Sequence, residues 1–217
     1  QTGLTALNLA IPCFNLIHGC GLMLGMGGAI RYSILKGQAP RQQTDRLFTA
    51  LLALAAVLAL IFLTAGIFFS RPLTRLTGAD QEVFEMTRTY LQVLLLFSPA
   101  FLTNDLVLCF VRNDGAPQLA TLAILSRHLL SRRRGFSLCA GRPRLRLALG
   151  CLGLGFPSLV TEFSSGTVII AFNYLFLRLE GNVGVAAYGV VTNFSLVVTA
   201  LFTGLAQGAQ PLISRAQ

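Results

Sequence analysis

The chain has 217 residues, 54% hydrophobic and 12% charged, with a mean hydropathy of +0.69. Soluble chains carry about a quarter of their residues charged, so this composition excludes a soluble domain, a disordered chain and a disulfide-built secreted domain. The net charge of +9 does not indicate nucleic acid, because such a binder needs a folded basic face on a soluble core.

Five apolar segments follow one another along the chain. Residues 2–30 hold no formal charge and one titratable ring, His18. Residues 47–69 are an apolar run suited to lipid, and residues 90–111 are apolar around Pro99, Asn104 and Asp105. Residues 147–177 carry the single charge Glu162, and residues 183–213 carry none. Each exceeds the roughly 20 residues that a helix needs to cross a bilayer. The reading is an all-α, polytopic helical membrane protein with about five transmembrane helices. A transmembrane β-barrel is excluded because residues 51–63 are apolar on every side and do not alternate.

The basic residues set an orientation. The first loop holds Arg31, Lys36, Arg41 and Arg46, and the third holds eight arginines from Arg112 to Arg146 against Asp114. By the positive-inside rule these two loops are cytoplasmic, with Gln1 outside and Gln217 inside. Residues 178–182 read as a short, nearly neutral fourth loop. Residues 117–131 become polar at Arg127 and His128, so they read as a cytoplasmic stub or interfacial helix. The arginines are read as orientation and phospholipid attraction. The chain starts at Gln1 with no initiator Met and no signal-peptide pattern, which fits a processed chain or part of something longer.

Chemistry is sparse. Glu162, in Pro157-Ser-Leu-Val-Thr-Glu162, sits in the middle of its segment. A carboxylate at that depth must face a bundle interior or a wet cavity, where a proton or a cation such as Na⁺ neutralises it. Pro157 nearby removes one helical hydrogen bond. Asp105, beside Asn104, is the second candidate. Asp105, Asn104, Asn15, Asn173, Asn193 and Gln207 are candidate cavity-lining residues, although amides also hold membrane helices together. His18 reads as a helix–helix contact. Cys13, Cys20, Cys109, Cys139 and Cys151 show no CxxC spacing and read as small apolar residues, neither bridges nor metal ligands. Gly21-xxx-Gly25 and Gly204-xxx-Gly208 are small faces for close helix approach. With no Walker A, HExxH or GxSxG pattern, no catalytic residue, resident metal or cofactor is expected, and the chain does not read as an enzyme.

A weak repeat relates the first and last segments. A shift of 181 positions pairs Gly3 with Gly184, Ala6 with Ala187, Leu24 with Leu205, Gly27 with Gly208 and Ser33 with Ser214. Both segments run outside to inside, the relation produced by an axis along the membrane normal.

These residues also carry a resemblance. Ala6-Leu-Asn-Leu-Ala-Ile-Pro-Cys-Phe-Asn-Leu-Ile-His-Gly19, with Gly25-Met-Gly-Gly-Ala29 and Ser33, resembles the second helix of multidrug and toxic compound extrusion (MATE) transporters. Phe110-Val-Arg-Asn-Asp-Gly-Ala-Pro117 resembles the loop after their fourth helix. Gly155-Phe-Pro-Ser158, Glu162 and Ser164-Ser-Gly166 resemble the seventh helix of the MepA-like bacterial branch, and Ala206-Gln-Gly-Ala-Gln-Pro211-Leu-Ile-Ser214 resembles the end of the eighth. The resemblance implies a secondary antiporter of the bacterial inner (plasma) membrane that exports cationic or amphipathic compounds in exchange for Na⁺ or H⁺, with two six-helix lobes and Glu162 in cation coupling. It divides the chain into residues 1–126, part of the N-terminal lobe (helices two to four and the start of five), a basic cytoplasmic linker at 127–146, and residues 147–217, part of the C-terminal lobe (helices seven and eight). Most of helix five and helix six then have no counterpart, as in a truncated, internally deleted or misassembled product, and the missing helices or a second chain are required partners. The competing readings are a membrane interaction protein that associates through its glycine faces, and a related flippase for lipid-linked sugars. The spans hold no basic residue, which argues against the flippase.

Overall fold

The computed structural model describes residues 2–38, 40–113 and 145–215, with the side chains at 37, 145, 203, 204 and 206–215 excepted. The expected stub at 117–131, most of the linker, Cys139 and the Gln207 side chain therefore lie outside the described residues.

Among the described residues all regular structure is helical: α1 (Thr2–Gln38), α2 (Arg41–Phe68), α3 (Ser70–Leu76), α4 (Phe84–Leu96), α5 (Ser98–Asn113) and α6 (Leu145–Arg215). The breaks fall where the sequence withdraws backbone hydrogen bonds. Pro72 has no N–H to offer Phe68, and the chain kinks at Phe69 (φ −114°, ψ 13°) between α2 and α3. Pro99 likewise stands one turn beyond Leu95, and α4 and α5 meet at 49° across Phe97. The third apolar segment is thus a bent pair that starts at Phe84, earlier than residue 90. The first helix also runs past residue 30, carrying Arg31 and Lys36 as helical residues.

The short fourth loop expected at residues 178–182 coincides with a tight break: within Leu145–Arg215 two helical arms meet at Gly181, whose φ of 63° and ψ of −150° are not helical. That combination lies in a region open to glycine alone. A straight helix of this length would extend about 100 Å, and the ring contacts rule that out. Tyr188 stacks on Phe176 at 5.3 Å and on Phe172 at 5.5 Å, pairs that a straight helix would hold about 18 and 24 Å apart. The two arms fold back side by side, and each alone exceeds the roughly 20 residues of a crossing. Arg178 stays helical by lying on its own helix, its Nη2 donating to the Tyr174 hydroxyl at 2.6 Å with the guanidinium 4.6 Å from the ring centroid.

Three helices are long and apolar enough to cross a membrane, four if the bent pair counts as one span. The Gly181 turn makes the longest of them two passes, which gives the five expected from composition. α1 is the central helix: 56% of its apolar window is buried, against 17% for α6. One side of α1 packs on α2 and α5, where Tyr32, Phe48 and Phe110 are fully enclosed and Phe110 meets both other rings at 5.4 and 5.1 Å. Its other side receives the first arm of α6 in antiparallel fashion. Gly27 lies on the carbonyl of Cys151 and Gly155 on the carbonyl of Met23, with no room for a side chain at either glycine. Phe156, Phe163, Phe194 and Phe202 point out of α6, as expected of a lipid-facing surface.

Candidate functional site

Successive residues of a helix point about 100° apart, and α1 uses this at positions 18 and 19 to face two helices at once. His18 faces α5, where its Nδ1 lies 2.9 Å from Oδ2 of Asp105. Gly21, one turn on and on the same face, has no side chain; a methyl there would come within 2.5 Å of the Asp105 Oδ2. Gly25 continues the same face onto Cys109, so Gly21-xxx-Gly25 is the face through which α1 approaches α5. Gly19 faces α6, and a methyl there would stand 2.9 Å from Cβ of Glu162. Two candidate carboxylates from different helices are thus brought to neighbouring positions on α1.

The environments of the two acids differ. The Asp105 side chain is 5% exposed and that of His18 34% exposed. Glu162 is half-buried, and its charge acts on the His18 ring. The ring is fixed from a third direction by Phe14, which stacks on it at 5.7 Å with a 7° tilt and meets Phe101 edge-on at 5.4 Å. A ring clamped on one face and hydrogen-bonded at one nitrogen has its orientation set before any ligand arrives. His18 is therefore the helix–helix contact expected of it, and its partner is the more buried of the two acids.

A second polar cluster lies about three turns toward the start of α1. Pro12 cannot donate to the carbonyl of Asn8, and Asn173 of α6 donates to that oxygen instead at 3.4 Å. The side chain of Asn8 donates in return to Oδ1 of Asn173 at 3.0 Å and to the carbonyl of Val185 at 3.2 Å. Thr5 Oγ1 donates to the carbonyl of Asn182 at 3.1 Å. Beyond it the Asn182 amide donates to Asp80 at 2.9 Å and Glu82 at 3.0 Å, tying the α3–α4 connection to the Gly181 turn.

The remaining candidates distribute unevenly. Asn15 is buried beside Gly166, and Asn173 belongs to the amide cluster. Asn193 donates to the carbonyl of Gly189 in its own helix at 2.7 Å. Asn104 is exposed, about 100° around α5 from its buried neighbour Asp105, and does not join the His18 group. Asn8, Thr5 and Asn182 were not singled out from the sequence. A signal for Asn8 exists in the Pro12 four residues later, which frees its carbonyl. Cys13, Cys20, Cys109 and Cys151 are free thiols, and among the described residues no three His, Cys, Asp or Glu side chains converge as a metal site. An open groove lined by Glu85, Met86, Thr89, Tyr90 and Val93 on α4 shares no residue with either polar cluster.

Comparison with known proteins places this arrangement. The multidrug export protein MepA of Staphylococcus saprophyticus is 23% identical over 252 residues, covering 97% of this chain and 56% of the relative. The MepA of Staphylococcus aureus strain MRSA252 is 20% identical with the same coverage. The chain spans about half the length of the curated relatives it matches. The aligned stretch of 252 positions is longer than the chain's own 217 residues, so relative residues stand opposite gaps. Two solved structures share the fold. An inward-facing multidrug resistance MATE family transporter of the MOP superfamily has a TM-score of 0.77 at 18% identity, covering 90% of this chain and 54% of that one. The MATE multidrug transporter DinF-BH, solved in complex with the dye rhodamine 6G, has a TM-score of 0.83 at 20% identity, covering 98% and 57%. The sequence pattern of the MatE family matches residues 1–131, and the chain belongs to that family of membrane transporters.

Proposed function

We propose that this chain supplies part of a secondary active carrier that exports cationic or amphipathic compounds across the bacterial plasma membrane in exchange for Na⁺ or H⁺. The observation that carries the reading is the convergence of Asp105 from α5 and Glu162 from α6 on adjacent positions of α1. A carboxylate inside a span is retained where it pairs or lines an ion or substrate path. Here Asp105 has a fixed partner, whereas Glu162 is the half-buried acid left for a mobile cation. Glu162 is assigned the coupling role, and Asn15 lies one turn before the pair, beside Gly166.

Residues 1–126 and 147–217 belong, on this reading, to two lobes joined by the linker at 127–146. The internal repeat supports the division. Asn8 and Gly189 are equivalent under the 181-residue shift, and a methyl at 189 would come within 3.1 Å of the Asn8 side chain. Equivalent residues meet in this way where two related helices run close to a twofold axis.

The test is gradient-driven movement of the rhodamine dye bound by the solved relative, in liposomes holding the full chain. Loss of accumulation in Glu162→Gln, with the helical content unchanged, is expected. Unchanged accumulation in that variant removes Glu162 from coupling. An absence of any gradient-driven flux with wild-type chain sinks the carrier reading for this molecule and favours an interaction role.

A further inference from the structure

We propose that His18 and Asp105 form a proton-binding site of this carrier, in which Nε2 of His18 takes up and releases the proton while Asp105 orients the ring and balances its charge. The inference rests on the carrier reading above and narrows its coupling ion to H⁺.

The geometry assigns the nitrogens. Nδ1 at 2.9 Å from Oδ2 is at hydrogen-bond distance, and a carboxylate accepts, so Nδ1 carries the hydrogen and donates. Nε2 is then the nitrogen whose protonation can change without breaking the bond to Asp105. One third of the His18 side chain is exposed while Asp105 is enclosed, so the ring is the accessible member of the pair. Phe14 and Gly21 hold the two partners in place as the charge changes. Asp105, enclosed and bonded to the ring, acts through His18 and is a positioning residue.

The charged groups acting on the ring are Asp105 from α5 and Glu162 from α6; Cys109, one turn along α5 and against Gly25, is the other titratable group on that face. With Nε2 unprotonated, the ring and the two ionised acids sum to two negative charges. One proton on Nε2 lowers this to one, and a cation or second proton at Glu162 brings the group to neutrality. The Asp105 carboxylate, at hydrogen-bond distance, is the dominant charge on the ring, and Glu162 adds a smaller effect from α6. Occupancy of Glu162 and protonation of His18 are then coupled in both directions by linkage. The donor set does not suit Na⁺ at the pair, since imidazole nitrogen is a poor ligand for hard cations, which take oxygen.

The test uses the full chain in liposomes, labelled with ¹⁵N-histidine in a His128→Gln background so that one of its two histidines remains. Across about pH 5 to 8, the range in which imidazoles titrate, Nδ1 is expected to stay protonated while Nε2 titrates. Asp105→Asn, which keeps the shape of the side chain, is expected to abolish the preference for the Nδ1–H tautomer, and Glu162→Gln to displace the Nε2 midpoint. In the transport arm, His18→Gln is expected to lose the component of rhodamine movement driven by a pH gradient. An Nε2 that does not titrate, an unchanged tautomer in Asp105→Asn, or full pH-driven movement in His18→Gln overturns the proposal. If the resonances behave as expected but no gradient moves the dye, the proton site stands and the carrier reading falls. If a Na⁺ gradient alone drives the dye while His18 stays silent, the carrier reading stands and the proton site falls.

Discussion

Replacing Gly155 by Ala should loosen the contact between α1 and α6 and lower the stability of the chain by about 2–4 kcal/mol. The added methyl would fall on the Met23 carbonyl oxygen, with the carbonyl carbon at 2.7 Å and Cα at 2.9 Å. All three atoms are backbone, so no side chain can swing aside. Carbon and oxygen of facing helices rest at about 3.3–3.6 Å, so the helices must part by about 1.5 Å. A gap of that size forfeits about a half or more of each heavy-atom contact worth about 0.1–0.2 kcal/mol. Over roughly forty such contacts the loss is about 2–4 kcal/mol, at the upper end of the usual cost of overpacking. Gly27→Ala meets the Cys151 carbonyl in the same interface, so the double substitution should cost less than the sum, because one separation relieves both. The measurement is loss of helical circular dichroism with denaturant in detergent micelles. Gly150→Ala is the control, with nothing within 4 Å of the new carbon. If Gly155→Ala and Gly150→Ala unfold at the same midpoint, the helices are not held at this distance and the reasoning fails.

Three further outcomes are expected. Asn8→Ala leaves Oδ1 of Asn173 and the Val185 carbonyl without their donor and should cost about 1–2 kcal/mol, read from the same unfolding curves; a cost near zero would mean that lipid or water replaces the amide pair. Gly181→Ala should cost about 1–3 kcal/mol from backbone strain alone, since nothing lies within 4 Å of the new carbon. Gly181→Asn should give no rescue, because ψ −150° lies outside the left-handed region that Asn tolerates. Asn182→Ala should change stability by less than about 1 kcal/mol, since its bonds to Asp80 and Glu82 are solvent-exposed. It should nevertheless speed amide hydrogen exchange around residues 77–83, and unchanged exchange there would refute the tie.

The apolar segments were legible because a bilayer fixes the length of any helix that crosses it, and composition alone reports that length. On α5, Leu102, Asp105, Leu106, Cys109 and Phe110 repeat at helical spacing and are all enclosed, yet Asp105 and Asn104 were both read as cavity-lining, and only Asp105 is buried. The Gly181 turn was legible as the short, nearly neutral fourth loop at 178–182, within which the break between the two arms falls. Its tightness was not, since helical structure reaches Glu180 on one side and starts again at Asn182 on the other. Nor was the partner of His18 legible. A lone histidine states no distance, and Asp105 lies 87 residues away in the sequence. Glu162 stands out by its charge, but its placement beside Gly19 depends on how α6 lies along α1, which periodicity does not encode.

The hairpin of α6 bears on how the chain enters its membrane. A turn made by one glycine leaves no connecting segment to be translocated on its own. From Asn182 to Ser214 there is no charged residue. Two basic residues of the hairpin, Arg146 at the start of the first arm and Arg215 at the end of the second, fall at its open end, where the positive-inside rule assigns both to one side. The tight turn at position 181 thus couples the placement of one arm to that of the other.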